Sequence, residues 1–256
     1  MYFRWMNFET ATSLFSSFFK TLGYLFLFMV FGLFLDSTYM SSILPQTQHL
    51  ATFVMLIGFA IVYFKSASRM REQMITAVII GFIGEHLFSI GLGMYTYRLS
   101  NIPHYVPPGH AIVLVATMYF CKESIVREYR KLLEKIFTVF VLVYSTLFLF
   151  FAGDVFGFIM SLLVIFLLRN KPRERLFYLS MYIAVAFLEI IGTSYECWFW
   201  PETAYGKIPF LTSANPPSGI SLFYFLLDLG SLWLYKKRHK IAWARMKNIR
   251  KLQESQ

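Results

Sequence analysis

The sequence predicts an all-α membrane protein, a polytopic bundle of about eight transmembrane helices in two parallel four-helix repeats. Its composition is the first of three observations behind this prediction. Of the 256 residues, 57% are apolar, 20% are aromatic and only 15% are charged, whereas a soluble domain is roughly 45–50% apolar and about 25% charged. The other two are the spacing of the apolar segments and the placement of the basic residues.

Composition also excludes several classes of protein. A chain this apolar is neither disordered nor collagen-like, and it is no nucleic-acid-binding basic domain. The formal net charge of +10 would suggest a polyanionic partner in a soluble protein, but here the basic residues follow the connections between apolar segments. The two cysteines, Cys121 and Cys197, rule out a disulfide framework and a multi-cysteine zinc site. We therefore expect a lipid bilayer as partner and no nucleic acid.

Eight apolar segments approach the roughly 17–25 residues that a membrane-spanning helix needs. They are residues 18–35, 50–64, 74–95, 109–121, 136–152, 155–168, 177–200 and 217–235. The fourth and the sixth are short. The preceding residues 1–17 have no cleavage-site pattern of a signal peptide, and we expect them to form an interfacial segment leading into the first span.

Lys and Arg residues fall in alternate connections, which predicts the orientation because cytoplasmic loops carry the excess of positive charge. The opposite connections hold only Arg98 and Lys207. We therefore expect both ends of this sequence on the cytoplasmic side of a multi-pass protein, in a bacterial inner membrane. The basic tail, residues 236–256, should contact anionic lipids; a specific partner site is the alternative. The basic residues of the predicted cytoplasmic side are Lys65, Arg69, Arg71, Lys122, Arg127, Arg130, Lys131, Lys135, Arg169, Lys171, Arg173, Arg175, Lys236, Lys237, Arg238, Lys240, Arg245, Lys247, Arg250 and Lys251.

The third and seventh segments end alike, which suggests an internal duplication. Each contains a Glu, two to three turns of small and apolar residues, and then an aromatic-x-aromatic pair. An Ile-Pro pair and then a Pro-Pro pair follow in each copy. The corresponding features of the two copies are roughly 103 to 109 residues apart. We interpret residues 18–126 and 127–235 as two parallel repeats. Coincidence is the alternative, because interfacial aromatics and prolines at helix starts are common.

Acidic residues inside the apolar segments are the strongest functional signal. A charged group at the bilayer centre costs roughly 2.5–3.5 kcal/mol, and no Lys or Arg lies at comparable depth in the sequence. We expect Glu85 and Glu189 to form an acid/base pair, with Asp228 supporting them or stabilising a developing positive charge. Glu196, seven residues after Glu189, should share its helix face. The alternative for each acid is a helix–helix hydrogen bond.

Further residues near these acids are candidates for substrate binding. A packing or capping role is the alternative for each of them, since aromatic lining is mostly packing and Asn at a helix start is mostly a cap. No His-x-x-x-His spacing is present, so we predict neither a metal nor another cofactor; a metal held by the acids and two histidines is the weaker alternative. The candidates are Glu196, His86, His110, Tyr95, Tyr195, Trp198, Asn215 and Tyr224.

The two similar runs resemble a pattern in membrane carotenoid-modifying proteins, the integral-membrane lycopene cyclases and the carotenoid hydratases. The hydratases carry a Glu-x-x-Gly…Gly-x-Tyr-x-Tyr-like run before a short Pro-rich loop. The residues that look like it are Gly84, Glu85, Gly93, Tyr95, Tyr97, Pro103 and Pro107, and the run Glu189-x-x-Gly192…Trp198-x-Trp200 is similar. The resemblance covers about a third of the chain, and it implies acid-initiated chemistry on an apolar polyene. The Pro-x-Glu-Glu element of the cyclases is missing, which disfavours cyclisation.

Three functional hypotheses follow. The first is a membrane enzyme, of lyase, cyclase or isomerase type, that acts on a lipid-soluble substrate, with isoprenoids as the candidate class. The second is a proton- or cation-coupled transporter or small-solute binding protein, because repeat-built helices with acids near the midplane suit a carrier equally well. The third is a non-catalytic membrane partner of a larger complex.

Overall fold

The computed structural model is mostly helical and describes residues 8–241, 243–245 and 248. Two π-helical segments, Phe19–Gly23 and His86–Gly91, continue α1 and α5. The other elements in chain order are α1 (Phe8–Phe18), α2 (Tyr24–Leu35), α3 (Thr38–Ile43), α4 (Thr47–Lys65), α5 (Ser68–Glu85), β1 (Thr96–Tyr97), α6 (Val106–Phe120), α7 (Ser124–Glu128), α8 (Arg130–Ala152), α9 (Val155–Leu168), α10 (Arg175–Ser194), β2 (Trp198–Phe199), β3 (Thr203–Ala204), β4 (Ile208–Thr212) and α11 (Ser221–Arg238).

Within the described residues, five helical segments are long and apolar enough to cross a membrane, and α6 and α9 are shorter apolar helices. Their lengths and composition fit a membrane protein. The predicted sixth segment coincides with α9. The five long segments are Glu9–Ile43, Thr47–Lys65, Ser68–Gly91, Arg130–Ala152 and Arg175–Ser194.

Burial divides the helices into a central and a peripheral set. Helices α6 and α10 are buried along most of their length, whereas α8 buries only Val141 and Ser145. The outer surface carries large apolar side chains such as Phe64, Phe150 and Phe151, the last of which is 86% exposed. A surface of this kind is what contact with lipid requires, because a helix that is apolar all round is either a buried core helix or a membrane span.

Several helix starts follow directly from their sequences. Ser37 caps α3 by accepting a hydrogen bond from the Met40 amide, and Asp154 caps α9 by accepting one from Gly157. Side-chain oxygens at this position satisfy amides that have no partner within the helix. Proline in the first turn of α6 is favoured for a related reason, since its missing N–H leaves no donor to satisfy.

The predicted third and seventh spans extend too far. The π-helical continuation of α5 ends at Gly91 and α10 ends at Ser194, and the chain then turns through left-handed residues, Gly93 with φ 62° and Glu196 with φ 57°. The aromatic runs that follow form strands, so the all-α prediction is wrong at these two places. Hydropathy misled it, because Tyr and Trp next to a helix end look like a continuation of the apolar segment.

The strands β1 and β2 pair antiparallel, with Thr96 opposite Phe199 and Tyr97 opposite Trp198. Side chains alternate across a strand, so the two members of each aromatic-x-aromatic pair lie on one face. This pairing joins the ends of the two Glu-bearing helices. A second two-stranded sheet, β3 with β4, lies in the connection before α11.

Parts of two predicted terminal segments lie outside the described residues. They are residues 1–7 of the predicted interfacial segment 1–17, and residues 242, 246, 247 and 249–256 of the predicted basic tail. Helix α1 begins at Phe8 and continues through the π-helical segment into α2.

Candidate functional site

A single apolar pocket contains both acids of the predicted pair. Glu85 and Glu189 line it, and each is only 4% exposed. Its atom-free space, including the opening, is about 970 Å³. Among the described residues that line this pocket, none is a Lys or an Arg. The two carboxyl groups are therefore the acidic side chains of a largely apolar cavity.

Glu85 is held by three hydrogen-bonding side chains. The hydroxyls of Tyr95 and Tyr97 both donate to Oε2, each at 2.6 Å. The Nε2 atom of His110 lies 2.8 Å from Oε1. Hydrogen bonds this short are typical of a charged acceptor, and a buried carboxyl requires such partners.

The two tyrosines on Glu85 stay protonated and so remain donors. Burial raises the pKa of Tyr97 well above its ordinary value, and the neighbouring Glu85 carboxylate raises it further. The pKa of Tyr95 is raised well above its ordinary value by the same two causes. Both rings follow helix α5 and reach back to it from β1, which is how a residue ten or twelve positions later meets Glu85.

Glu189 is held by the equivalent pair in the second half. The indole Nε1 atoms of Trp198 and Trp200 both donate to Oε2, at 2.8 and 3.0 Å. The Tyr224 hydroxyl approaches Oε1 at a longer 3.3 Å. Asn215 lies outside the pocket and accepts a hydrogen bond from the Trp200 amide at 3.0 Å, so it positions one of these indoles.

The two clusters touch each other at two places. The rings of Tyr95 and Trp200 have their centroids 4.6 Å apart, and those of His110 and Tyr224 are 4.8 Å apart. Each contact joins a hydrogen-bond partner of Glu85 to a hydrogen-bond partner of Glu189. The result is one continuous polar and aromatic cluster around the pocket.

Two glycines leave space for the side chains that hydrogen-bond to the acids. A Cβ atom on Gly192 would come within 2.0 Å of the Trp198 ring, and one on Gly81 would come within 3.1 Å of the His110 ring. Protein interiors are close-packed, so the indole lies against α10 only because residue 192 has no side chain. Gly192 lies three residues after Glu189, whereas the corresponding position after Glu85 is Phe88.

The remaining wall of the pocket is apolar and one helix thick. Leu25, Met29 and Leu33 of α2 and Met55 of α4 line the pocket. The outward side of the same helices exposes large apolar side chains, Phe31 among them at 67%. A single helix layer thus separates the two acids from the apolar outer surface.

Three further candidate residues lie elsewhere. Glu196 is exposed in the turn after α10, so the expectation that it shares a helix face with Glu189 is wrong: the helix ends two residues earlier. Tyr195 packs against Phe34 outside the pocket. His86 is exposed, and its Nδ1 lies 2.8 Å from the Phe82 carbonyl. His86 and His110 therefore do not converge on a common site.

Asp228 lies outside the pocket that holds Glu85 and Glu189. It lines a small neighbouring void together with His110 and Tyr224. It also lines a larger pocket near Lys122 and Arg173. Asp228 is thus adjacent to His110 and Tyr224, the hydrogen-bond partners of Glu85 and Glu189, and lines no common pocket with the two acids.

Sequence reasoning missed two buried acids at helix ends. Asp36 is fully buried, binds Arg98 at 2.5 Å and accepts a hydrogen bond from Tyr105 at 2.8 Å. Asp154, also fully buried, accepts from the amides of Ala214 and Ser218. Both hold the connection that leads into the next pocket-lining helix. Their signal was their position directly after a long apolar segment.

Within the described part of the chain, no group of three or more His, Cys, Asp and Glu residues is arranged to hold a metal ion. Comparisons of the chain with protein-family models, curated proteins and solved structures found no match. Functional inference therefore rests on the geometry of the site.

Proposed function

We propose that this protein is an integral membrane enzyme that transforms a lipid-soluble substrate by general acid/base chemistry. The proposal is carried by the placement of two buried carboxyl groups, each with three hydrogen-bonding side chains, in one apolar pocket. Acids are retained inside an apolar bundle for pairing or for function, and here no basic Lys or Arg residue lines the pocket with them. The chemistry belongs to the lyase, cyclase or isomerase type.

Hydrogen-bond chemistry suggests different roles for the two acids. An indole N–H only donates, so the two bonds from Trp198 and Trp200 occupy Oε2 of Glu189 as an acceptor. A proton on Glu189 therefore belongs on Oε1, where the Tyr224 contact is long. One partner of Glu85 is the imidazole of His110, a group that exchanges protons near neutral pH. We assign proton donation to Glu189 and proton exchange with the protein to Glu85.

The lining of the pocket favours an apolar, electron-rich substrate. Tyr and Trp rings stabilise a nearby cation by about 0.5–2 kcal/mol, and an ionised carboxylate adds to this. Protonating a double bond creates such a cation, so a polyene of the isoprenoid or carotenoid class suits the site. The resemblance to carotenoid-modifying membrane proteins supports the same substrate class.

We also propose eight membrane passes in two parallel repeats, with both ends of the sequence at the cytoplasmic side of a bacterial inner membrane. Two matching features support duplication. Each Glu-bearing helix is followed by a left-handed residue and a strand whose two aromatics return to its own Glu. Asp36 and Asp154 then hold equivalent connections in the two halves.

The decisive experiment compares lipid and pigment profiles of cells that express the wild-type chain, Glu85→Gln or Glu189→Gln. Gln keeps the size and polarity of Glu but donates no acidic proton, so turnover per folded protein should fall by about 10²–10⁴-fold. Glu202→Gln, at an exposed position outside the pocket, is the matched control. Wild-type turnover in both site variants would remove the acid/base mechanism.

A transporter is the second candidate, and the pocket beside Lys122 and Arg173 that reaches Asp228 is the observation in its favour. A carrier with these acids should bind solute in the Gln variants while losing its coupling to the proton gradient. Solute uptake measured in vesicles with and without a pH gradient separates the two functions.

Orientation is tested with reporters placed in two connections. A reporter between residues 122 and 135 should read cytoplasmic, and one between residues 101 and 108 external. Reporters on the same side would contradict the eight-pass arrangement.

A further inference from the structure

Several buried polar atoms near one end of the bundle have no partner among the described residues. They are Gln73 Oε1, Asp228 Oδ2 and Ser231 Oγ. Gln73 and Ser231 are 4% and 2% exposed. Buried polar groups are almost always hydrogen-bonded, and atoms without a protein partner normally bind ordered water. These three residues therefore mark a hydrated site.

The same three residues line one pocket, which we call the basic-end pocket. Its atom-free space, including the opening, is about 790 Å³. The pocket is also lined by Lys122, Arg173 and Glu174, which belong to connections predicted to be cytoplasmic. Water from that side thus has a path to the Asp228 carboxyl group.

Asp228 also faces the opposite direction, toward the site. It lines a small void with His110 and Tyr224, and the rest of that lining is Ala77, Val113 and Met181. The void has room for roughly one water molecule. His110 binds Glu85 at 2.8 Å and Tyr224 approaches Glu189 at 3.3 Å. One carboxyl group thus borders both the basic-end pocket and the ligands of the two acids.

We propose that Asp228 is a proton relay between the basic-end pocket and the Glu85–Glu189 site. This inference rests on the proposed function, because it supplies the protons that acid/base chemistry exchanges. It makes Asp228 a positioning and transfer residue one step removed from the reacting atoms. A relay at this place also explains why a chain keeps an acid in α11 that accepts no hydrogen bond on Oδ2 from the described residues.

The transfer balances at every step. A hydronium ion in the basic-end pocket gives a proton to the Asp228 carboxylate and becomes water. Asp228 then gives a proton to the water in the small void, which becomes hydronium. That hydronium protonates one ring nitrogen of His110, and the other nitrogen, Nε2, releases its proton to Oε1 of Glu85. The imidazole ends in its other tautomer, which is the ordinary behaviour of a histidine shuttle. No bond other than these N–H and O–H bonds changes.

The titratable and charged side chains that line the two pockets around Asp228 are those whose charge affects it. On the side of the site they are His110 and Tyr224. On the side of the basic end they are Cys121, Lys122, Arg173, Glu174 and Tyr178.

The test follows protonation of the site after a pH jump applied to purified full-length protein. Infrared bands that disappear in Glu85→Gln or Glu189→Gln report the carboxyl and carboxylate forms of these two residues. We expect Asp228→Asn to slow their response at least tenfold, Asp228→Glu to restore most of it, and Glu202→Gln to match wild type. Circular dichroism checks that each variant is folded, and Asn, a neutral isostere, costs less to bury than a carboxylate.

A wild-type response rate in folded Asp228→Asn would overturn the relay. So would an equal slowing in Asp228→Glu, since a role in packing alone predicts damage from the longer side chain. The measurement needs no substrate, so it is distinct from the lipid profiles. The relay is supported if Asp228→Asn alone slows the infrared response of Glu85 and Glu189. The proposed enzymatic function fails separately if the lipid profiles of cells with either Glu→Gln variant match those of the wild type.

Discussion

The two halves of the site hold the same group by different chemistry. Glu85 and Glu189 each receive two hydrogen bonds on Oε2 from an aromatic-x-aromatic pair and one contact on Oε1. In the first half the partners are two phenols and an imidazole, whereas in the second they are two indoles and a more distant phenol. The two glutamates thus have the same arrangement of hydrogen bonds, but the partners of Glu189 include no imidazole that could exchange a proton.

This difference teaches how one scaffold can give two acids separate roles. Indoles fix a carboxyl group and cannot relay a proton, because Trp is a donor only. Phenol and imidazole groups can both donate and accept, so they connect Glu85 with its surroundings. The helix ends differ in the same sense: Asp36 binds the charged Arg98, whereas Asp154 binds backbone amides. The predictions below test this contrast.

The largest effect is expected at Asp36. Asp36→Asn leaves the largely buried Arg98 without its counter-charge, and breaking a buried ion pair costs about 3–5 kcal/mol. Asp154→Asn should cost about 1–3 kcal/mol, because the amide oxygen still accepts from some of the backbone N–H groups. Free energies of unfolding in detergent measure both. Equal losses of stability in Asp36→Asn and Asp154→Asn would show that the ion pair of Asp36 contributes no more than the backbone contacts of Asp154.

The next effect concerns catalysis. His110→Gln keeps a donor near Glu85 but removes the exchangeable proton, so turnover should fall about 10²-fold or more. Trp200→Phe removes a donor that cannot relay protons, and its loss of turnover should be smaller. Product formation per folded protein measures the ratio. A larger loss in Trp200→Phe would reverse the assignment of roles.

A third effect concerns the packing of the second half. Gly192→Ala places a methyl group about where the Trp198 ring lies, with a separation of 2.0 Å. Overpacking of this kind costs typically 1–3 kcal/mol, and the indole should lose its bond to Glu189. Thermal unfolding followed by Trp fluorescence measures the change. Gly32→Ala is the control, because a Cβ atom added at Gly32 would have no neighbouring atom within 4 Å. A wild-type melting temperature in Gly192→Ala would contradict the contact between residue 192 and the Trp198 ring.

The smallest effect is expected at His86. His86→Gln should change turnover by less than about twofold, because the exposed ring contacts the carbonyl and the ring of Phe82, one turn earlier, and lies outside the pocket of the two acids. Substitutions at such exposed positions have small effects. It is the counterpart of His110→Gln in the same assay. A loss comparable to that of His110→Gln would place His86 in the site after all.

How much of the site could be predicted differs from residue to residue. Glu85 and Glu189 were predictable because an acid in an apolar segment is costly wherever the helix packs. Tyr97 and Trp200 carried a signal, the repeated aromatic-x-aromatic spacing, but their bonds to the acids depend on a turn that hydropathy does not mark. Glu196 was assigned to a helix face for the same reason.

The sequence by itself determined the apolar helical character of the chain, the placement of the two acids within apolar segments and the alternation of basic connections, because composition and period act locally along the chain. Only the tertiary structure decided which side chains meet. The antiparallel pairing of β1 with β2 brings the four aromatics to Glu85 and Glu189, and the packing of α11 against α5 and α10 places Asp228 behind His110. Such contacts join residues up to more than one hundred positions apart, and their energies depend on close packing between elements, which no local pattern in the sequence encodes.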